Sequence, residues 1–236
     1  MESLRRAFRE LGLLLIPVSC AGCGQVDVKW CAECAAVFGE PRRVEHAIDR
    51  LDRLDGVPPL PVWAISEYRS PVRDLIVAWK DRGRADLDPL MASKAGAAAN
   101  ALRGVLAPAG PLLVVPAPSR LSSRIDRARD HLSPVACAVA RSLGTRSESL
   151  LAKRGRDQVG LGRRARGTVS VAVRERALAR ALARTCPDGP LRVLLLDDVV
   201  TSGATLAAAE QALNAHGIEV VGALVLAATP APCAPQ

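Results

Sequence analysis

Two short unbroken apolar runs, Leu112 to Val115 and Val193 to Leu196, lie among stretches whose apolar residues recur at helical spacing. A run without polar interruption is what a strand buried on both faces of a sheet requires, because its side chains point alternately to two covered sides. Upstream of the first run, Val72, Leu75, Ile76 and Trp79 fall on one helical face, with Pro71 at its start and Gly83 as its stop. Leu87 to Leu106 is an Ala-rich helical stretch. Val135, Val139 and Leu143 form the seam of a helix from about Pro134 to Leu143, capped by Ser133 and stopped by Gly144. Leu206, Ala209 and Leu213 make a last helical face ended by Gly217. With Val62 to Tyr68 as a first strand, strands and helices alternate, which predicts an α/β fold: an open, mostly parallel sheet with flanking helices.

The chemistry of this plan concentrates in Leu191 to Leu206, LRVLLLDDVVTSGATL. The apolar strand delivers two carboxylates, Asp197 and Asp198, then the small-residue turn Thr201, Ser202, Gly203, Ala204 and Thr205, then a helix. In open α/β sheets ligands sit beyond the carboxyl ends of the strands. Backbone N–H groups and hydroxyls of such a turn close around a phosphate, and the helix behind it aims its positive end at the same anion. Adjacent aspartates, ionised at neutral pH, accept hydrogen bonds from vicinal ribose hydroxyls. The stretch therefore reads as a site for a ribose 5-phosphate. The run DDVVTSGAT also resembles the 5-phosphoribosyl-1-pyrophosphate (PRPP) binding motif of type I phosphoribosyltransferases.

Composition narrows the picture without redirecting it. A chain of 236 residues, 49% apolar, suits one large domain or a medium domain with a small one. With 3 Trp, 2 Phe and 1 Tyr, its core must be built from Leu, Val and Ala. The formal charge of +8 comes from a basic complement of which 28 of 32 residues are Arg, in a chain also rich in Ala. That is the mark of a compositional bias more than of a selected nucleic-acid groove, and a phosphate-rich small substrate suits the same charge. Leu11 to Val18 is an apolar run behind Arg5, Arg6 and Arg9, but it is short, ends beside Pro17, and is preceded by Glu2 and Glu10. We read it as a short amphipathic helix packed on the body and not as a signal core. No other stretch approaches the roughly 20 apolar residues of a membrane span, and a cytoplasmic protein is expected.

Four of the seven cysteines form Cys20-Ala-Gly-Cys23 and Cys31-Ala-Glu-Cys34. Two CxxC knuckles this close are the pattern of a tetrahedral four-thiolate structural Zn²⁺ site. Paired disulfides or redox CxxC motifs are the alternative, disfavoured in a cytosolic chain. Cys137, Cys186 and Cys233 have no such partners and read as buried or incidental thiols. Glu40 to Leu60, charged and punctuated by Pro and Gly, reads as a connection. The expected organisation is a zinc module with linker over 1–58 and a main α/β domain over 59–236.

Further candidates lie between. Lys80 ends the first helix and is either a solvated lysine or an anion ligand. The strand over Leu112 to Val115 runs into Pro116-Ala117-Pro118-Ser119-Arg120, either a plain terminating turn or a loop like the one that holds pyrophosphate in this enzyme class. Arg124, Arg127 and Arg129 follow. Lys153 to Arg166 is Gly-punctuated and basic, as a loop that closes over pyrophosphate would be.

Taken in order, the four-cysteine module, the Tyr68-x-x-Pro71-Val-Arg-x-Leu-Ile helix with its Lys80, Val115-Pro-x-Pro118, Arg156-Asp-Gln-x-Gly-Leu161 and the PRPP motif resemble the ComF family of competence-associated proteins, from about Leu13 to Ala228. The resemblance implies a type I phosphoribosyltransferase-like domain linked to uptake of transforming DNA. It implies catalytic roles for Asp197, Asp198, Lys80 and Arg120, 5-phosphate binding by Thr201 to Thr205, a pyrophosphate loop at Pro116, Ala117, Pro118 and Ser119, and Mg²⁺ arriving with PRPP. Arg127-Ala-Arg-Asp-His131 departs from the family's Arg-Gly-Phe-Asn-Gln. Thr201 stands where purine-salvage relatives carry the Asp that accepts the base proton, which disfavours oxopurine acceptors. Two other classes stay open: a non-catalytic accessory of DNA uptake that binds PRPP, nucleotide or single-stranded DNA, or contacts DNA-uptake machinery; and a zinc-dependent binding module with an incidental α/β domain.

Overall fold

The computed structural model describes residues 18–48, 51, 58–106, 110–118, 130–153, 169–184 and 190–230. Its centre is a six-stranded sheet. In chain order the strands are β1 (Arg42–Arg43), β2 (Val62–Ala64), β3 (Leu112–Pro116), β4 (Arg146–Ser147), β7 (Arg192–Val200) and β8 (Glu219–Ala228), while β5 (Leu151–Lys153) and β6 (Val171–Val173) make a separate antiparallel pair. The spatial order is β1-β2-β8-β7-β3-β4, all parallel except the edge strand β1. The apolar runs over Leu112 and Val193 thus pair with each other near the middle of the sheet, as strands covered on both faces should.

The period of two sorts each strand between two apolar layers. Val114, Leu194, Leu196, Leu224 and Leu226 join one layer with α2 (Val72–Lys80), α3 (Asp88–Ala101) and α5 (Leu132–Leu143), and the cysteines and Phe38 pack into the same layer. Leu113, Val115, Val193, Leu195, Ala223 and Val225 join the other with α6 (Glu175–Ala183), α7 (Ala204–Asn214) and the side chains of Ile48 and Leu51. Two shorter α-helices among the described residues are α1 (Ala32–Ala36) beside the cysteines and α4 (Arg103–Leu106) after α3.

Several elements differ in extent from their sequence signals. The strand through Val193 does not stop at the carboxylates: β7 continues its ladder with β8 through Asp197 to Val200, so both aspartates are strand residues. The turn is correspondingly short, Thr201 to Gly203, and Ala204 and Thr205 already belong to α7. Helix α5 starts at Leu132, whose buried side chain anchors the first turn; Ser133 lies inside the helix, and the residue before it, His131, makes no side-chain cap. The Ala-rich helix divides at Leu102, just ahead of Gly104, a poor helix former. The stretch read as a connection contributes β1, pinned to β2 by buried Glu45, which accepts from Val62 N–H at 3.2 Å and Arg43 Nε at 2.6 Å. The N-terminal amphipathic helix and all of the Lys153 to Arg166 loop beyond Lys153 lie outside the described residues. Among the described residues, no helix is long and apolar enough to cross a membrane.

Candidate functional site

The alternation that buries Leu194 and Leu196 against α2 and α5 carries Asp198 to the same side. There it meets two side chains. Lys80, in the last turn of α2, brings Nζ to 2.6 Å from Asp198 Oδ2, and His131, directly before α5, brings Nε2 to 2.9 Å from the same oxygen. The other oxygen, Oδ1, accepts Val199 N–H at 2.7 Å. Asp198 is only 2% exposed. Burial alone would raise its pKa, but the His131 hydrogen bond and the Lys80 charge outweigh it and hold the carboxyl below the ordinary range. Burial works against the charge of Lys80 as well, and Asp198 overrides it, so the ammonium is held above its usual value. The arrangement is braced from behind: the Trp79 ring meets His131 edge-on at 4.7 Å, and Trp79 Nε1 donates to Asp88 Oδ1 at 2.7 Å.

Asp197 has the opposite environment. It is half-buried, and its Oδ1 accepts Asp198 N–H at 2.9 Å. Burial first, and then the neighbouring Asp198 charge, push it up to about 7. The expectation of two fully ionised carboxylates at neutral pH is therefore corrected. Two adjacent anions half inside a protein repel, and the one with Lys80 and His131 beside it keeps the charge while the other gains a proton near neutrality.

Beyond the pair, Thr201 and Ser202 are exposed and Gly203 is buried with φ 73. A side chain at Gly203 would collide with Ile48, whose Cγ2 lies 2.5 Å from the ideal Cβ position, and with Leu51 at 3.0 Å. The turn is thus seated on Ile48 and Leu51, and α7 opens directly behind it with Ala207 N–H bonded to the Gly203 carbonyl at 2.9 Å. On the other side of β7, Pro116 pairs with Leu196 and Ala117 N–H donates to the Leu196 carbonyl at 2.7 Å. This starts the Pro116-Ala117-Pro118 turn next to the strand that carries the acids. Among the described residues the cis peptide bond is Ser70–Pro71, and the turn has none. Ser119 and Arg120, with Arg124, Arg127 and Arg129, lie outside the described residues. The structure therefore brings together Asp197, Asp198, Lys80, the Thr201 to Thr205 segment and the first half of the proline loop, and it adds His131. The signal for His131 was a single histidine immediately before a helix, in a segment notable only for departing from a family pattern.

The four cysteines form a second candidate centre. Their Sγ atoms all lie within 4.8 Å of one another, with Cys23 and Cys31 at 3.6 Å. Tetrahedral thiolates at the usual zinc distance stand about 3.8 Å apart, so the set fits. Gly22 is required at the knuckle, because a Cβ there would lie 2.8 Å from Cys34 Sγ. Backbone N–H groups point at the sulfurs, Cys31 to Cys20 and Cys34 to Cys31, each at 3.4 Å. Burial pushes Cys34 up, with the neighbouring thiols adding to it. At Cys20 burial acts the same way but is overcome by N–H donors from Cys23, Gly22 and Cys31, which bring it down to about 6. One sulfur prepared as a thiolate beside Cys31 and Cys34, both of which are pushed up, is what crowded thiols do until a cation joins them. Of the remaining cysteines, Cys137 is exposed, not buried, and Cys186 and Cys233 lie outside the described residues.

Neither a protein-family model nor a curated protein sequence matches the chain. Among solved structures it is similar to adenine phosphoribosyltransferase from Rhodothermus marinus, with 19% identity over 84% of this chain and 88% of that one and a TM-score of 0.37. It is similar also to the adenine phosphoribosyltransferase of Thermoanaerobacter pseudethanolicus, with 14% identity over 83% and 98% of the two chains and a TM-score of 0.35. A third such structure, Leishmania donovani UMP synthase, shows 16% identity over 83% of this chain and 31% of that one, with a TM-score of 0.32. Likeness at this level says nothing of activity.

Proposed function

We propose that the carboxyl end of β7 binds PRPP with Mg²⁺ and that the protein transfers the phosphoribosyl group to an acceptor nucleophile. The observation that carries this reading is the continuous path from paired aspartates at the end of a central parallel strand, through Thr201 to Gly203, into the first turn of α7, with Lys80 drawn to the acids. In the reaction the nucleophile's electron pair forms the new bond at the anomeric carbon, the bond to pyrophosphate breaks, and pyrophosphate leaves with that pair. Thr201 to Thr205 hold the 5-phosphate. Because three donors already occupy Asp198, Asp197 is the carboxyl that takes the ribose hydroxyls, and Asp198 anchors Lys80 at the edge of the site. Lys80, 40% exposed at its side chain, and the loop from Pro116 to Arg120 stabilise the departing charge. The order of motifs supports placement in the ComF family and a link to DNA uptake, and the four cysteines support a structural Zn²⁺.

The saturation of Asp198 also gives weight to a second reading, PRPP binding without transfer in an accessory of DNA uptake. Calorimetric titration with PRPP and Mg²⁺ tests the first step. Wild-type protein should bind, and Asp197→Asn should weaken binding about three- to tenfold, the scale of one neutral hydrogen bond. Folded protein that does not bind PRPP overturns both readings, and binding without pyrophosphate release upon addition of nucleophiles selects the accessory.

A further inference from the structure

Apart from the acidic pair, a cavity of about 450 Å³ opens at the carboxyl ends of β3 and β4, within the size range of small-molecule sites. Its walls come from Pro116 at the end of β3, the residues at and after β4, the early turns of α5, and the segment entering α6. Three arginines line it. Arg176 and Arg180 are four apart on α6 and so share a face, and Arg174 directly precedes the helix. Among the described residues none of the three forms an ion pair. Arg180 Nε donates to the Arg176 carbonyl at 3.2 Å, and the carboxylate in the wall, Glu148, is occupied by Arg184 at 3.3 Å. The hydroxyl residues Ser133, Ser147 and Ser149 complete the polar lining.

Three solvent-exposed arginines around one concavity, whose carboxylate Glu148 is held by Arg184, leave it with an excess of positive charge that an anion entering would balance. Their planar donor forks suit phosphate oxygens, which accept two N–H bonds at once, and serine hydroxyls supply the remaining donors. We propose that this cavity is a second anion site, which binds a phosphate-bearing small molecule of nucleotide size or less and shares with the site at Asp197 the Pro116 wall but none of its charged residues. A nucleic-acid strand would ask for an open basic stripe; here the basic residues line a cavity with walls from four directions.

Cys137 provides a local reporter, because it is exposed, lines the cavity, and has Sγ 3.5 Å from Ser147 Oγ. The experiment follows alkylation of Cys137 by iodoacetamide, read on its peptide by mass spectrometry, in full-length zinc-loaded protein. The probes are inorganic pyrophosphate, a nucleoside 5′-monophosphate and a short single-stranded oligonucleotide. Pyrophosphate, the monophosphate or both should slow alkylation, and their relative half-protecting concentrations distinguish a free inorganic anion from a nucleotide. Arg176→Ala with Arg180→Ala should raise the half-protecting concentration about tenfold or more, with the Lys pair intermediate, and Asp197→Asn should leave it unchanged. The proposal is overturned if neither small anion slows the reaction, if protection persists in the arginine variants, if it disappears in Asp197→Asn, or if the oligonucleotide alone protects.

Discussion

Asp198 keeps a charge inside the protein because three donors, Lys80, His131 and the Val199 N–H, surround its two oxygens. Removing a donor from a buried carboxylate leaves part of its desolvation uncompensated, which costs about 1–3 kcal/mol. His131→Ala should therefore lower stability by that amount in urea denaturation, and His131→Gln, which restores an N–H donor, should recover part of it. Equal losses in both variants would mean that His131 contributes packing alone. Asp197 makes the opposite contribution. Its native pKa of about 7 lies above the ordinary aspartate value near 4, so the folded protein binds the extra proton between those two values. Stability from this group is fully present below the lower value and is lost as pH rises through the higher one. Urea midpoints from pH 5 to 8 should fall more steeply in wild type than in Asp197→Asn, and parallel curves would remove the proton from this carboxyl.

At the scale of elements, the Thr201 to Gly203 turn depends on a segment far from it in sequence. Gly203 combines a left-handed φ of 73 with contact to Ile48 and Leu51 where a side chain would begin. Gly203→Ala should cost roughly 1–2 kcal/mol for the backbone and about 1–3 kcal/mol more for overpacking, and it should weaken PRPP binding through the displaced turn. A variant of wild-type stability would show that Ile48 and Leu51 yield freely. The same residues mark what the sequence could reveal. Two central strands, β3 and β7, were legible because both faces are covered and every residue must be apolar, and the small-residue turn was legible because few residues permit it. The central strand β8 was missed, although Ala223 to Ala228 is equally apolar, because Gly222 interrupts its run. The role of Ile48 was not legible, since it sits in a charged, Pro- and Gly-containing stretch with no period, and its partner lies more than a hundred residues away. The extension of β7 through two aspartates was hidden for a related reason: carboxylates in a strand look like its end until Lys80 and His131 are seen to receive them. His131 itself carries no periodicity, and only tertiary packing against Trp79 gives it a place.

For the molecule as a whole, the cysteine centre and the candidate active site share one apolar layer. Cys20, Cys31, Cys34 and Phe38 pack with Val72, Leu75, Trp79 and Leu132, the layer that sets Lys80 and His131 under Asp198. A polar clamp runs parallel to it: Arg84, beyond α2, donates to the Ser19 carbonyl at 3.3 Å and the Lys29 carbonyl at 3.4 Å while paired with Asp86. If the four cysteines hold a metal ion, its loss should therefore reach the site. Cys23 is the exposed member of the four, so Cys23→Ser removes a ligand with little loss of packing, and structural zinc contributes to folding directly. The variant, or wild type treated with a strong chelator, should show a lowered Tm together with weaker PRPP binding, because α2 loses the support that holds Trp79 and Lys80 in place. Arg84→Ala should move both quantities in the same direction by less, since its bonds are exposed and solvent competes for them. A fall in Tm with PRPP affinity unchanged would separate the two centres and reduce the cysteines to local scaffolding; parallel changes across all three perturbations would make the metal a structural determinant of the site.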